Sequence, residues 1–462
     1  MDGFKRNINN IFLIFIFSHL IIWTSVPSLT NNNLPLDLIE ALAWGSNLDW
    51  GFNKHPPGSA FFTEMFYRIF GPQDWAYYLL SQIFVIIAFF YVFKLSNEIF
   101  KNSLLSLMSV LLLESIYFYN FTTPEFNVNV CQLPFWAMVV YYSWKIYNKN
   151  HISVLDCIFL GLFGAIGFLS KYLFLYLLLS VFFLFIYLIF KKIKKFDFKY
   201  LIIFEIFIVI LIPHLIWLNN NDYVTISYGL KRTGLEQSTF IDHIKYPLLF
   251  IIKQIGLLIP FFVLVFLLVK KIRFKFNIKD KKLIFLTFVN FMPIILMLIT
   301  SVITGSRIRT MWMTPFYLFF GLFAVYVFQS KINLKKIKNF LYGFIFLFFL
   351  SPALYAYISI KETNKRTDYF GKEISELVER RWNKNFSNEI MYVVGDEWYA
   401  GNLSYHLPSR PKWFLDLKDN INKLNPKGGI IYVGNSEILK EICLGDFGKI
   451  DRLGYCMIGS KY

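Results

Sequence analysis

Acidic residues are scarce in this chain of 462 residues: 30 Asp and Glu stand against 47 Lys and Arg, for a net charge of +17. Charged residues together make up only 17% of positions. Soluble domains carry charge at about a quarter of theirs, so one or two globular units of this length are excluded. Cysteine occurs 4 times and glycine 24 times, which rules out a small disulfide framework and a collagen-like repeat. No CxxC pair, His/Cys cluster or Gly-rich phosphate loop is present, so neither zinc nor a nucleotide is expected. The space is filled by apolar residues: 56% of positions are hydrophobic, and 54 phenylalanines exclude disorder. Such a chain is a polytopic membrane protein. Its positive charge is a topology signal before it is a nucleic-acid footprint, and no nucleic-acid partner is expected.

Runs long enough to cross a hydrocarbon core fall at 11–29, 75–93, 104–120, 128–144, 154–170, 172–190, 200–217, 247–269, 283–303, 310–328 and 339–357, about eleven spans. Their unbroken Phe, Leu and Ile differ from the alternation of barrel strands, so the spans are helical. Lys and Arg collect in alternate loops: Lys5 and Arg6; Lys94 and Lys101; Lys145 and Lys149; Lys191, Lys192, Lys194, Lys195 and Lys199; Lys270, Lys271, Arg273, Lys275, Lys279, Lys281 and Lys282; Lys331, Lys335, Lys336 and Lys338. By the positive-inside rule that set faces the cytoplasm. The first run is long for a signal peptide and is followed by a poor cleavage pattern, so it reads as a retained helix with a cytoplasmic N-terminus. Eleven spans then leave the C-terminus outside.

After residue 358 the composition turns polar and mixed. An amphipathic helix is expected over 373–379, with buried strands at 390–394 and 429–433, each followed by Gly. This reads as a small α/β domain over 359–462, accessory to a membrane domain over 1–358. Cys443 and Cys456 both lie in it, and in an oxidising outer compartment a disulfide between them is plausible. Cys131 and Cys157 fall in spans and read as small apolar residues.

The first outer loop, 30–74, is long for a connection between spans, and long ordered loops are usually functional. Asp37 and Glu40 are three apart and share one helix face. With Leu38, Leu42 and Trp44 they suit a helix lying on the membrane surface, carboxylates toward water. Lys54 and His55 precede a double proline that ends an extended segment and starts a new helix. Further polar groups gather at the same face: Thr123-Pro124-Glu125, then Ser170-Lys171-Tyr172, then Arg232, then Arg307 and Arg309 ahead of Trp312 and Pro315. Single cations of this kind are ordinarily snorkelling anchors. Acids in one loop with cations in several suit an anionic ligand entering from lipid and a carboxylate acting on a second substrate.

Five segments occur in order on that face: Asp37…Glu40…Ala43-Trp44-Gly45, Lys54-His55-Pro56-Pro57, Thr123-Pro124-Glu125, Gly167-Phe168-Leu169-Ser170-Lys171-Tyr172 and Arg307…Trp312…Pro315. Over roughly residues 1–330 the chain thereby resembles bacterial membrane glycosyltransferases of the protein O-mannosyltransferase-like superfamily, which includes the lipid A aminoarabinose transferases. The resemblance implies a C-type glycosyltransferase fold in the bacterial inner membrane, with its C-terminal domain periplasmic or extracellular. It also implies a polyprenyl-phosphate-linked sugar as donor and a cell-envelope glycan, lipid or protein as acceptor. Asp37 maps onto the family's acidic residue, which implies a general base and inversion at the anomeric carbon. Lys54, Lys171, Arg232, Arg307 and Arg309 are implied for the donor phosphate, and Glu40, His55 and Glu125 for acceptor or sugar hydroxyls. Aminoarabinose-type relatives carry a carboxylate before the lysine of the second motif, where this chain has Asn53. No metal ligand is assigned, and a divalent metal stays open. The competing expectation is a secondary transporter or flippase of a lipid-linked sugar, which would keep its ionisable groups near the bilayer midplane.

Overall fold

A computed structural model describes residues 2–149, 151–234, 238–270, 277, 279–332, 334–417, 425 and 427–461. Lys271, Arg273 and Lys275 of the topology signal lie outside the described residues. The membrane part runs α1 (Asp2–Thr30), α2 (Leu36–Gly45), α3 (Gly58–Phe70), α4 (Asp74–Phe100), α5 (Ser103–Leu111), α6 (Val128–Cys131), α7 (Leu133–Asn148) and α8 (Val154–Ser170). It continues with α9 (Leu175–Phe190), α10 (Lys199–Asn220), α11 (Val224–Arg232), α12 (Asp242–Leu257), α13 (Ile259–Leu268), α14 (Lys281–Thr304), α15 (Phe320–Phe328) and α16 (Leu334–Lys361).

Helix stands in every expected span, but not as eleven straight rods. Among the described residues six helices are long and apolar enough to cross a membrane, or up to eight when two bent pairs each count as one span. The expected 247–269 run bends by 48° after Leu257, and 310–328 bends by 50° after a 3-10 stretch that contains Pro315. Pro260 sits in the first turn of α13, where its missing N–H costs no hydrogen bond. The expected 104–120 run ends its α-helix at Leu111 and continues as 3-10 turns. There Asn120 Nδ2 donates to Glu114 O at 2.6 Å, diverting a carbonyl from the helical ladder. Glu114 itself is wholly buried against His19 of α1, Oε2 to Nδ1 3.1 Å, which pins the break in place.

The C-terminal domain is α17 (Gly371–Asn385), β1 (Ile390–Val394), α18 (Tyr399–His406), β2 (Lys412–Phe414), β3 (Gly429–Asn435), α19 (Ser436–Ile442), β4 (Asp446–Ile450) and β5 (Leu453–Ile458). Its sheet has the order β2-β1-β3-β5-β4, with β1 parallel to β2 and β3, and the β3–β5 and β5–β4 pairs antiparallel. Trp382 of α17 is buried beneath the sheet and donates Nε1 to Asn388 O at 2.7 Å. The glycine after β1, Gly395, has φ +151°, and a Cβ there would meet Val433 O at 2.5 Å. That position needs glycine for its backbone and not for a nucleotide. Cys443 and Cys456 are bonded, joining the end of α19 to β5. Cys131 and Cys157 are buried free thiols.

The domain is not an appended platform. Ala43, Trp44 and Phe52 of the first outer loop share one apolar core with Trp382, Val393, Leu403 and Ile431. Leu38, Ile39 and Leu42 of α2 enter the membrane-domain core instead. The expectation of a surface helix with a watery upper face is therefore corrected: α2 is apolar nearly all round because it is covered from both sides. Arg410 fastens the cover. Its guanidinium lies 4.0 Å from the Tyr67 ring and donates to Glu64 Oε2 at 2.8 Å and to Leu42 O at 2.7 Å. Arg410→Met removes the guanidinium over Tyr67 and leaves the buried Glu64 with only the exposed Arg68, Nε to Oε1 3.4 Å. The loss is at most the roughly 3 kcal/mol of a buried pair broken on one side. A clear drop in the thermal midpoint of the detergent-purified protein is the expected result.

Candidate active site

Pro35 precedes α2 in an extended conformation, so the helix begins abruptly and Asp37 falls in its first turn. The Asp37 backbone N–H donates to Glu125 Oε1 at 3.1 Å. Glu125 hangs from a loop fixed by side chains of α4: Ser81 Oγ donates to Thr123 O, and Gln82 Nε2 to Thr123 Oγ1 at 3.1 Å. Asn127 caps α6, accepting from the N–H groups of Asn129 and Val130 at 2.9 and 3.2 Å. That cap aims Asn129 Oδ1 at the Lys171 ammonium, which donates to it. Lys171 ends α8, buried, with its Nζ 5.5 Å from the Trp312 ring centroid. Gly58 brings the first loop to it: a Cβ there would meet Leu169 O at 2.8 Å and Ser170 Cα at 2.9 Å. Only glycine lets the Lys54–Pro57 segment lie this close to Lys171.

Lys54 is held between two carboxylates, Glu40 Oε1 at 2.8 Å and Glu397 Oε1 at 3.1 Å. Asn53 Nδ2 also donates to Glu397 Oε1, at 3.0 Å. His55 packs between Trp44 and Tyr228, at ring separations of 5.9 and 6.2 Å. Arg232, in the last turn of α11, lies 6.0 Å from the Tyr228 ring. The Arg307 backbone N–H donates to Thr233 O at 3.0 Å, which draws the Arg307–Arg309 loop onto the end of α11. The nine sequence-predicted residues thus occupy one cluster at one end of the helices.

Burial raises the Asp37 carboxyl above the ordinary aspartate range, against the pull of Lys171, Lys54, Arg232 and Arg366. Glu125, more deeply buried and beside Asp37, is raised to about 8. Two carboxylates this close do not both ionise readily. Glu125 holds the proton, and Asp37, nearer the cations, carries the charge. Burial lowers Lys171 to about 7, opposed by Asp37, and lowers His55 to about 3 with help from Lys171, Lys54 and Arg232. His55 is therefore a neutral ring. Burial pulls Lys54 down as well, but its bonds to Glu40 and Glu397 outweigh that and hold it above the ordinary lysine range. Burial lifts Glu40 in turn, yet the ammonium at 2.8 Å keeps the pair ionised.

Lys54 was expected on a donor phosphate; its charge is instead engaged by Glu40 and Glu397. Among the described residues no carboxylate lies within salt-bridge distance of Lys171, Arg232, Arg307 or Arg309. Two groups of the site were missed in the sequence. Arg366, in a 3-10 turn just past α16, acts electrostatically on both Asp37 and Glu125 and lies 5.9 Å from the Trp398 ring. Glu397 follows the strand β1, at the loop where open α/β sheets commonly keep functional groups.

Residues 54–217 match the family described as dolichyl-phosphate-mannose-protein mannosyltransferase. No curated protein matches the sequence. The whole architecture is similar to two crystal structures of ArnT from Cupriavidus metallidurans. For the one bound to undecaprenyl phosphate the TM-score is 0.62 at 10% identity, over 96% of this chain and 97% of that one. For the apo state it is 0.60 at 11% identity, over 97% and 98%. The chain has the C-type glycosyltransferase fold. Within this fold the matched segment begins at Lys54 and carries Glu125 and Lys171, while Asp37 precedes it and the arginines of the 300s follow it. The superfamily resemblance read from the five segments thus agrees with both the matched segment and the fold.

Proposed function

We propose that the protein moves a sugar from a polyprenyl-phosphate carrier to a hydroxyl of a cell-envelope acceptor, at the outer face of the inner membrane and with inversion. One observation carries this reading: Asp37, the member of the Asp37–Glu125 pair nearer the cations, lies in a field of positive groups of which Lys171 and Arg232 have no carboxylate partner among the described residues. A base and an uncompensated positive site side by side suit the two ends of a phospho-sugar displacement. Asp37 takes the proton from the acceptor hydroxyl as that oxygen bonds to the anomeric carbon. The carbon–oxygen bond to the phosphate breaks, and the electron pair leaves with the polyprenyl phosphate. Lys171 stabilises the growing phosphate charge from a dry site, with Arg232, Arg307 and Arg309 around it. Lys54 serves as the tie between the first loop and the C-terminal domain. Neutral His55, Glu40 and protonated Glu125 are left to hold hydroxyls. Of the mid-span groups, Glu205 and Lys253 are exposed on the helix surface, and Asn290 bonds back to Leu286 O at 2.7 Å. The buried ionisable pair His19–Glu114 is closed on itself at 3.1 Å where it holds the helix break, so a transporter draws little support from these groups.

Purified protein incubated with a polyprenyl-phosphate sugar and a cell-envelope fraction is expected to release polyprenyl phosphate and add one sugar mass to the acceptor. Lipid movement across vesicles with no glycosyl product would point to transport instead. Glu125 offers a sharper check. Since burial keeps it protonated, Glu125→Gln is expected to stay within a few-fold of wild type in turnover. Glu125→Ala, which leaves the Asp37 N–H without its acceptor, is expected to lose about tenfold or more. Equal losses in the two variants would show that the charge on Glu125 is used.

A further inference from the structure

A second concentration of cations lies at the other end of the molecule. The apolar helix Tyr172–Phe190 starts beside Lys171 and runs for 19 residues, about 28 Å at the α-helical rise, close to the thickness of a hydrocarbon core. Where it ends, a cleft of about 450 Å³ opens among Tyr147, Lys194, Lys195, Phe196, Phe198 and Lys281. The cleft and the site around Asp37 therefore sit at opposite membrane faces.

The lysines near this cleft differ in how they are satisfied. Lys145 and Lys149 share Asp156 at 3.0 and 2.8 Å. Lys194 Nζ donates to Ile146 O and to Lys149 O, the latter at 2.7 Å, capping the C-terminal end of α7. Lys199 Nζ donates to Ile152 O at 3.0 Å. Lys195 and Lys281 have no carboxylate within salt-bridge distance among the described residues, although both line the cleft. Asp197 is the one acid among the lining residues, and its Oδ1 already accepts the Lys199 backbone N–H at 3.0 Å. Three ammonium groups therefore face one carboxylate. Burial, and after it the nearby Lys281, hold Lys194 down to about 8. The rim is apolar: Phe196 is 54% and Phe198 78% exposed, with their rings 5.6 Å apart.

We propose that this cleft binds the headgroup of an anionic phospholipid of the inner leaflet. The phosphate lies among Lys194, Lys195 and Lys281, and the acyl chains lie along Phe196 and Phe198. A soluble anion would satisfy the lysines and leave the phenylalanine rim in water; a lipid satisfies both. A zwitterionic lipid would bring its own cation into a cleft that already has an excess of them. Nothing in this proposal depends on the reaction assigned to the outer site.

Native mass spectrometry of the full-length protein in detergent tests it, with phosphatidylglycerol or phosphatidylcholine added at equal concentration. Retained phosphatidylglycerol, little retained phosphatidylcholine, and a loss of about fivefold in lipid occupancy per lysine removed in Lys195→Gln and Lys281→Gln are expected. A control pair on the same face, Lys331→Gln with Lys335→Gln, is expected to leave occupancy unchanged. Equal retention of both lipids overturns the proposal. So does an equal loss in the control pair, which would mean diffuse surface charge. Displacement of phosphatidylglycerol by millimolar inorganic phosphate would also overturn it, by making the cleft a site for soluble anions.

Discussion

Asp37→Asn is expected to lower turnover by about 10²–10⁴-fold, the range for loss of a positioned general base. The substitution is nearly isosteric, and the structural bond at this position is made by the backbone N–H to Glu125, which asparagine keeps. Fold and donor binding should therefore survive. The measurement is single-turnover transfer alongside binding of the polyprenyl-phosphate donor. A second signature separates a base from a merely structural carboxylate. Asp37 is the group that raises the Lys171 ammonium against its burial. Without that charge Lys171 should lose its proton at lower pH, so the variant's residual activity should decline earlier on the alkaline side. Turnover within a few-fold of wild type would remove Asp37 from the role of base.

Charge and hydropathy made the outline of this site legible, because a bilayer sorts residues by polarity more strictly than water does. Asp37, Glu125 and Lys171 could be placed at one face from the parity of the spans alone. The interior of each span was less legible. Asn120 breaks its helix through a bond to Glu114, and Glu114 stays there because of His19, 95 positions earlier. Neither contact has a local signature. In the C-terminal domain the hydrophobic runs of β1 and β3 announced themselves. The three-residue β2 and the β4–β5 hairpin did not, since Asp446–Ile450 mixes Gly and Lys into a half-buried strand. The burial of α2 was hidden for another reason. A helix apolar on most of its circumference suits a membrane surface or a double-sided contact equally, and only the docking of α18, whose Gly401 lies against Ile39 and Ala43, decides between them. Glu397 was invisible in the same way: it meets Asn53 across 344 residues, and the chain between them offers no pattern that pairs the two. Arg366 gave a faint signal, a cation in the first turn after the last span on the acidic face.

On the proposed mechanism Lys171 is expected to set the alkaline side of the pH profile. Its ammonium in the free protein is held down to about 7, so the charge needed for the leaving phosphate is present below that pH and is lost as pH rises through it. The second-order rate constant kcat/KM, which reports the free enzyme, is expected to fall about tenfold per pH unit above that point. A bound donor phosphate favours the ammonium, so the corresponding limb of kcat should lie at higher pH. On the acid side the proposed base, Asp37, has to be ionised to act. Its raised carboxyl takes up a proton as pH falls, so activity should fade above the range of an ordinary aspartate. Glu125 titrates close to Lys171 and could in principle produce the same alkaline limb. The variants separate them. Glu125→Gln removes one titration and should leave the limb in place. Lys171→Arg should flatten it, because a guanidinium keeps its proton throughout, at a reduced plateau since the planar fork replaces a point donor fitted to Asn129. A limb that persists in Lys171→Arg and disappears in Glu125→Gln would move the control of the leaving group from the ammonium to the second carboxyl.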